Sequence, residues 1–242
     1  MSLPELRDFT TARVGLPRAG ISLPTKETLA LQLAHARARG AVHAALDVRQ
    51  LVLDLKPLGQ ELIEVHSQVP GRPAYLRRPD LGRRLNEKSR ALLGGRRGKQ
   101  DAVFVIADGL SAAAAQLHAA PTIDATLQLI DGADWNLAPF VIAEQGRVAI
   151  GDEIGECLGA ALSVVFIGER PGLSSSDSLG IYLSWNPHAG LADADRNCIS
   201  NIRAAGLSYA VAAHKLAFLM TEARRRKLSG VALKEDANLL GK

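Results

Sequence analysis

The chain has 242 residues, which is long enough for one large domain or two smaller ones. Its hydrophobic share of 47% and charged share of 22% exclude an intrinsically disordered chain, and an aromatic share of only 4% favours α/β packing over an aromatic-rich β-sandwich. The formal net charge of +4 is unevenly distributed, because residues 72–99 contain ten basic residues and two acidic ones.

The sequence lacks the features of membrane and secreted proteins. No apolar run approaches the ~18 residues that a membrane-spanning helix requires, and residues 1–8 contain no hydrophobic signal core. Cys157 and Cys198 are far apart in sequence, with no histidine at metal-binding spacing, so neither a disulfide framework nor a zinc site is indicated. We therefore expect a cytoplasmic protein with reduced thiols, no membrane association and no metal.

The amino-terminal part of the chain is predicted to be mainly helical. Leucines and alanines recur at helical spacing over residues 25–43, and a second helix is expected over residues 80–93. The apolar run at residues 51–55 is compatible with either a helix or a strand. Glycines and arginines at residues 94–99 predict a flexible break before the next part of the chain.

The remainder of the chain alternates strand and helix patterns. Apolar runs predict buried strands at residues 102–107, 161–167 and 179–185. Helical patterns are found at residues 111–119, 152–158 and 210–226. Residues 140–150 are expected to form either a strand and a turn or a small hairpin, with residues 148–150 as the returning strand.

This alternation predicts an α/β fold, because consecutive strands joined by helices form parallel sheets with right-handed crossovers. We expect a Rossmann-like, mostly parallel sheet with flanking helices over residues 99–242, preceded by a smaller helical region of residues 1–98. Ligands bind to such sheets beyond the carboxyl ends of the strands. The loops beginning at Asp108 and Gly168 are placed there.

No common nucleotide-binding or hydrolase motif is complete. The stretch Gly94–Gly98 is one residue too short for a Walker loop, and no glycine-rich dinucleotide fingerprint follows a strand. Ser111 follows a strand and a glycine, as the nucleophile of an α/β hydrolase does, but Ala113 stands where that motif requires glycine. A helix N-cap is the simpler role for Ser111, and a stand-alone α/β serine hydrolase is the alternative function.

Two polar clusters are candidates for ligand binding. The loop at residues 168–177 combines stiffening glycines and a proline with Glu169 and Arg170, which suits a polar ligand or an ordinary surface loop. Residues 195–201 are expected to open a helix, whose free amides can meet an anionic or carbonyl group. Within that cluster, Cys198 is more simply a small packing residue than a reactive thiol.

The basic segment at residues 72–99 permits binding to nucleic acid or to an acidic protein partner. Clustered arginines and lysines suit phosphate contacts. Tyr75 is the one aromatic residue of the segment, however, so stacking on bases has little support. A solvated or docking surface is therefore favoured over a nucleic-acid partner.

Short motifs occur in order along nearly the whole chain, at residues 12–20, 78–85, 108–111, 146–148, 154–156, 168–173, 176–179 and 198–202. The most specific pair is Gly-Glu-Arg-Pro-Gly-Leu at residues 168–173 and Cys-Ile-Ser-Asn-Ile at residues 198–202. Taken together, these motifs resemble the small (light) subunit of ethanolamine ammonia-lyase, an adenosylcobalamin-dependent enzyme.

The resemblance implies that the chain helps to bind adenosylcobalamin at an interface with a larger barrel subunit, which converts ethanolamine to acetaldehyde and ammonia by radical chemistry. The family's cobalamin contacts correspond to Val148, Glu169 and Cys198, and the family's small subunit carries no catalytic residue. Residues 1–98 would dock onto the large subunit, and residues 99–242 would form the cobalamin-binding domain. The expected location is the cytoplasm, either free or inside a bacterial microcompartment.

Overall fold

A computed structural model describes residue 10 and residues 12–234 as an α/β structure with one sheet. The helices of this part of the chain are α1 (Thr25–His43), α2 (Val48–Leu55), α3 (Arg72–Arg77), α4 (Glu87–Gly94), α5 (Ala112–Ile130), α6 (Ile150–Leu158) and α7 (Tyr209–Arg226). The strands are β1 (Leu62–His66), β2 (Gln100–Ala107), β3 (Phe140–Glu144), β4 (Ala160–Gly168), β5 (Leu179–Trp185) and β6 (Arg196–Ile202). No helix among these described residues combines the length and apolar character needed to cross a bilayer.

The sheet has the strand order β1-β3-β2-β4-β5-β6. The first four strands in this order pair in parallel, whereas β5 is antiparallel to both β4 and β6. The α/β class and the flanking helices are thus confirmed, and the expectation of a Rossmann-like, mostly parallel sheet is met in part. The loops that flank β5 contain no α-helix, and a strand reached without a crossover pairs in the antiparallel direction.

Helices cover both faces of the sheet and enclose a separate apolar core on each side. On one face, α2, α5 and α7 pack over a cluster that includes Phe104, Phe140 and Phe166. The ring of Phe104 is stacked on Phe140 at 5.6 Å between centroids and meets Phe166 edge-on at 5.4 Å. On the other face, α4 and α6 cover the opposite side chains of the same strands.

The amino-terminal region contains one strand that the sequence did not predict. The strand β1 alternates buried and less buried residues, with Ile63 and Val65 facing the core, and it pairs along its full length with β3. The sheet therefore extends across residue 98, where the amino-terminal helical region was expected to end. The ambiguous run at residues 51–55 is helical, because Leu51 and Leu55 lie one turn apart on the buried face of α2.

The helix expected over residues 80–93 is interrupted. Residues 84–86 are instead linked by main-chain hydrogen bonds to the end of β1 and the residues just after it. The helix α4 starts afterwards, at Glu87, where the Asn86 side chain accepts a hydrogen bond from the amide of Ser89. In contrast, the expected helix over residues 25–43 is confirmed as α1.

Of the two alternatives for residues 140–150, the strand and turn is confirmed and the hairpin is wrong. The strand β3 has parallel neighbours on both edges, and residues 148–150 lead directly into α6. The helix expected to open at residues 195–201 is also wrong, because Arg196–Ile202 form the edge strand β6. Its polar residues lie mostly on the exposed side, while Ile199 and Ile202 face the core, and the following helix α7 begins only at Tyr209.

Candidate functional site

A cavity of about 450 Å³ lies at the carboxyl ends of β2 and β4. Its walls include Tyr75, Arg147, Val148, Glu169, Arg170 and Tyr182. These residues come from α3, the turn before α6, the end of β4 and the middle of β5, so widely separated parts of the sequence meet at this edge of the sheet. The cavity lies where parallel sheets bind their ligands.

The three site residues expected from the resemblance occupy neighbouring positions. Val148 precedes α6 and Glu169 follows β4, and both line the cavity. Cys198 lies on β6 directly opposite Tyr182, which is itself a cavity residue. The fold thus brings Val148 and Glu169 to one cavity and sets Cys198 beside the cavity residue Tyr182.

The Glu169 carboxylate is held by three hydrogen bonds from its own chain. Oε1 accepts from the Ser200 hydroxyl at 2.5 Å. Oε2 accepts from the Ser178 hydroxyl at 2.5 Å and from the amide of Asn201 at 3.2 Å. The side chain therefore connects the end of β4 with the approach to β5 and the end of β6. Gly180 makes room for it, since a Cβ there would lie only 2.9 Å from Oε1.

Cys198 is an exposed residue, but its thiol is not activated. The packing around the sulfur raises the pKa of the thiol, and its hydrogen bond with Tyr182 only partly opposes that effect. The thiolate is the reactive form of cysteine, so a raised pKa keeps this thiol mainly protonated at neutral pH. Burial also raises the pKa of the Tyr182 hydroxyl. Both groups are suited to contact a ligand without reacting with it.

A buried ion pair supports the floor of the site at the end of β2. The Asp108 side chain is 2% exposed and lies 3.4 Å from the guanidinium of Arg72. Its Oδ1 accepts from the amides of Gly109 and Gly146, each at 3.0 Å. Burial raises the pKa of Asp108 to about 6, against the lowering effect of Arg72. Arg72 also donates to the carbonyl of Val42 at 2.7 Å, which fixes the last turn of α1 to the sheet.

Tyr75 is buried between two arginines. The guanidinium groups of Arg72 and Arg147 lie 4.5 and 4.1 Å from the centre of its ring, and its hydroxyl donates to the carbonyl of Gly146 at 3.0 Å. Arg147 donates in turn to the Tyr75 carbonyl at 3.0 Å, while its Nε is buried with no hydrogen-bond partner. The stack gives the cavity a positively charged wall next to Val148.

Known proteins resemble this chain over almost its entire length. The family model "Ethanolamine ammonia-lyase light chain (EutC)" matches residues 2–234. This chain belongs to the ethanolamine ammonia-lyase light chain family. The proteins called ethanolamine ammonia-lyase small subunit from Azotobacter vinelandii and from Ralstonia nicotianae are each 52% identical to it, over 97% of this chain and 88% of theirs. The protein of the same description from Pseudomonas syringae pv. tomato is also 52% identical, over 97% of this chain and 83% of its own.

Membership of the light chain family makes the protein part of a lyase holoenzyme, and nothing supports the serine hydrolase alternative. Ser111 is fully buried and caps α5 by accepting a hydrogen bond from the amide of Ala114 at 3.3 Å. Its hydroxyl donates to the carbonyl of Ser176 at 2.8 Å, so Ser111 links the loop at residues 168–177 to the helix.

Sequence reasoning missed several residues that shape this site. Arg72 and Tyr75 were seen only as members of a basic segment, and the stacking of Arg147 on Tyr75 bridges 72 residues. Ser178 and Ser200 lie inside the motifs that carried the resemblance, but their contact with Glu169 follows from the pairing of β5 and β6. The Asp-Gly pair after β2 was the one local signal for Asp108.

Proposed function

We propose that this light chain contributes one wall of an adenosylcobalamin site at its interface with a large catalytic subunit, which converts ethanolamine to acetaldehyde and ammonia. The observation that carries the proposal is the common cavity of Val148 and Glu169, with Cys198 opposite Tyr182 at its margin. When bound, adenosylcobalamin supplies the radical chemistry.

The residues of the cavity fit an edge of this cofactor. Sites for drug-sized ligands have volumes of roughly 300–1,000 Å³, and cobalamin is larger than such ligands, so about 450 Å³ accommodates only part of it. Val148 offers an apolar contact for the edge of the corrin. Glu169 accepts a hydrogen bond from a corrin amide or a ribose hydroxyl. The protonated thiol of Cys198 occupies little space where a larger side chain would intrude.

The proposed division of labour gives the large subunit the reaction and this chain the cofactor contact. The residues of this chain bind, orient and exclude water, and none acts as a catalytic acid or base. Within residues 12–234, no group of three histidine, cysteine or acidic side chains is arranged to hold a metal ion. We assign the chain to the cytoplasm, either free or inside a bacterial microcompartment.

The proposed docking region is residues 1–98. In its helix α1 only Ala34 is buried, whereas Leu29 and Leu33 are 58% and 52% exposed. Exposed apolar stripes of this kind mark protein interfaces. Arg83 and Arg84 of the basic motif are also exposed and offer contacts to acidic residues of the large subunit.

The test is co-expression with the neighbouring large subunit, followed by equilibrium dialysis of cyanocobalamin against the purified complex. We expect cyanocobalamin binding and ammonia release from ethanolamine that both require this chain, and weaker binding by Glu169→Ala. A large subunit that binds cobalamin and turns over ethanolamine equally well alone would contradict the proposal.

A further inference from the structure

The hydrogen bonds around Glu169 limit what this side chain can contact. A carboxylate has about four lone-pair positions for hydrogen-bond donors. Ser178, Ser200 and the amide of Asn201 occupy three of them. One position stays free for a ligand, so Glu169 can accept a single N–H or O–H but cannot bind a guanidinium in the two-bond manner.

The three donors also fix the orientation of the carboxylate. Glu169 itself is partly exposed, and a glutamate side chain of that kind normally samples several rotamers. Here its main-chain amide also donates to the carbonyl of Ser178, at 2.9 Å. Asn201 has a left-handed backbone with φ 64° at the end of β6, where its amide donates to Glu169. The acceptor is therefore preorganised before any ligand arrives.

From this geometry we infer that Ser178 and Ser200 are positioning residues for cobalamin binding, which present Glu169 as an acceptor for one neutral amide or hydroxyl of the cofactor. The inference rests on the proposed function, since it presumes that Glu169 contacts the cofactor. Neither serine needs to contact the cofactor, because each acts through the orientation of Glu169.

The test uses the complex of this chain with the large subunit and cyanocobalamin as the probe in equilibrium dialysis. We expect Ser200→Ala and Ser178→Ala each to raise the dissociation constant about 5- to 20-fold, because each removes a hydrogen bond to a charged group. Ser200→Thr keeps the hydroxyl and suits an exposed strand position, so it should bind within twofold of the parent. Ser174→Ala is the matched control, because Ser174 is exposed and lies in the loop between β4 and β5 that also contains Ser178.

A second measurement distinguishes the loss of a positioning role from a general loss of stability. The Ser200→Ala complex should show a raised apparent KM for adenosylcobalamin with an unchanged kcat at saturation, and the melting temperature of the cofactor-free complex should stay that of the parent. Glu169→Gln should also weaken cyanocobalamin binding, because its NH₂ group would replace one of the acceptor oxygens that now face three donors.

The outcomes distinguish this inference from the proposed function. Unchanged cyanocobalamin binding by Glu169→Ala would contradict the proposed contact between Glu169 and the cofactor. Weaker binding by Glu169→Ala, together with unchanged binding by Ser200→Ala and Ser178→Ala, would overturn the positioning role alone. Equal loss of binding by Ser200→Thr and Ser200→Ala would also overturn it, since the hydroxyl would then not be responsible.

Discussion

The helices α1 and α5 have the same length but differ strongly in how many of their residues are buried. Both α1 and α5 contain 19 residues. Nine residues of α5 are buried against the sheet and α7, whereas Ala34 is the one buried residue of α1. The helix α5 is thus part of the folded core, and α1 exposes apolar side chains that a partner can cover. Helix length by itself says little about which of these roles a helix has.

Arg72 links the exposed helix α1 to the buried core of the sheet. Its removal should lower the free energy of unfolding more than any other change considered below. It joins the last turn of α1 to the buried carboxylate of Asp108 at the end of β2. Arg72→Ala should lower the free energy of unfolding by about 3–5 kcal/mol at pH 7.5, because a buried charge loses its partner. Chemical denaturation measures this value. The double variant Arg72→Ala with Asp108→Asn should lose less free energy of unfolding than the two single variants together. Strictly additive losses would contradict an interaction between Arg72 and Asp108.

A truncation in α5 tests the core role of that helix. Ile123 is fully buried, and Ile123→Ala should lower the free energy of unfolding by about 3 kcal/mol, since it leaves a cavity in the core. Leu33→Ala in α1 is the matched control, and we expect a change of no more than about 0.5 kcal/mol because Leu33 is 52% exposed. Similar losses for both variants in urea denaturation would mean that α1 is as firmly packed as α5.

The pH dependence of stability should report on Asp108. Its pKa is raised to about 6 by burial, so between pH 4 and 6 the folded protein keeps a proton that the unfolded chain releases. The free energy of unfolding should therefore fall as pH rises through this interval, by at most about 3 kcal/mol from this group.

The corresponding measurement is denaturation of the parent and of Asp108→Asn at several pH values from 4 to 8. The difference between the two stability curves should slope downward between pH 4 and 6 and level off above pH 7. A flat difference would show that Asp108 is already ionised at pH 4 in the folded protein.

The smallest expected effect concerns assembly through α1. Leu29→Ala with Leu33→Ala keeps a helix-favouring residue at each site and should weaken binding to the large subunit about tenfold, because apolar contact area is lost. The stability of the isolated chain should hardly change. Leu117→Ala on α5 replaces a leucine that is equally exposed, at 58%, and is the control in titration calorimetry. Equal affinities of the α1 variant and the parent would exclude α1 from the interface.

Much of the site was predictable where the signal was local. Glu169 and Cys198 were singled out because glycines, a proline and polar side chains cluster around them in sequence, and Ser111 was predicted as the N-cap that it is. Val148 was named only through the resemblance, and its neighbourhood was predicted as either a turn or a returning strand. The two alternatives stayed open because a short apolar run after a turn has the same pattern whether it continues as a strand or begins a helix.

The sequence by itself determined the buried runs of β2 and β4, the length of α1 and the family, because periodicity, caps and motifs are encoded in neighbouring residues. Only the tertiary structure decided that β1 completes the sheet next to β3 and that β5 runs against its neighbours. It also decided that Ser200 meets Glu169 across 31 positions of the chain. A strand's pattern shows which face is buried but not which strand lies beside it, so contacts between distant residues depend on the packing of the whole sheet.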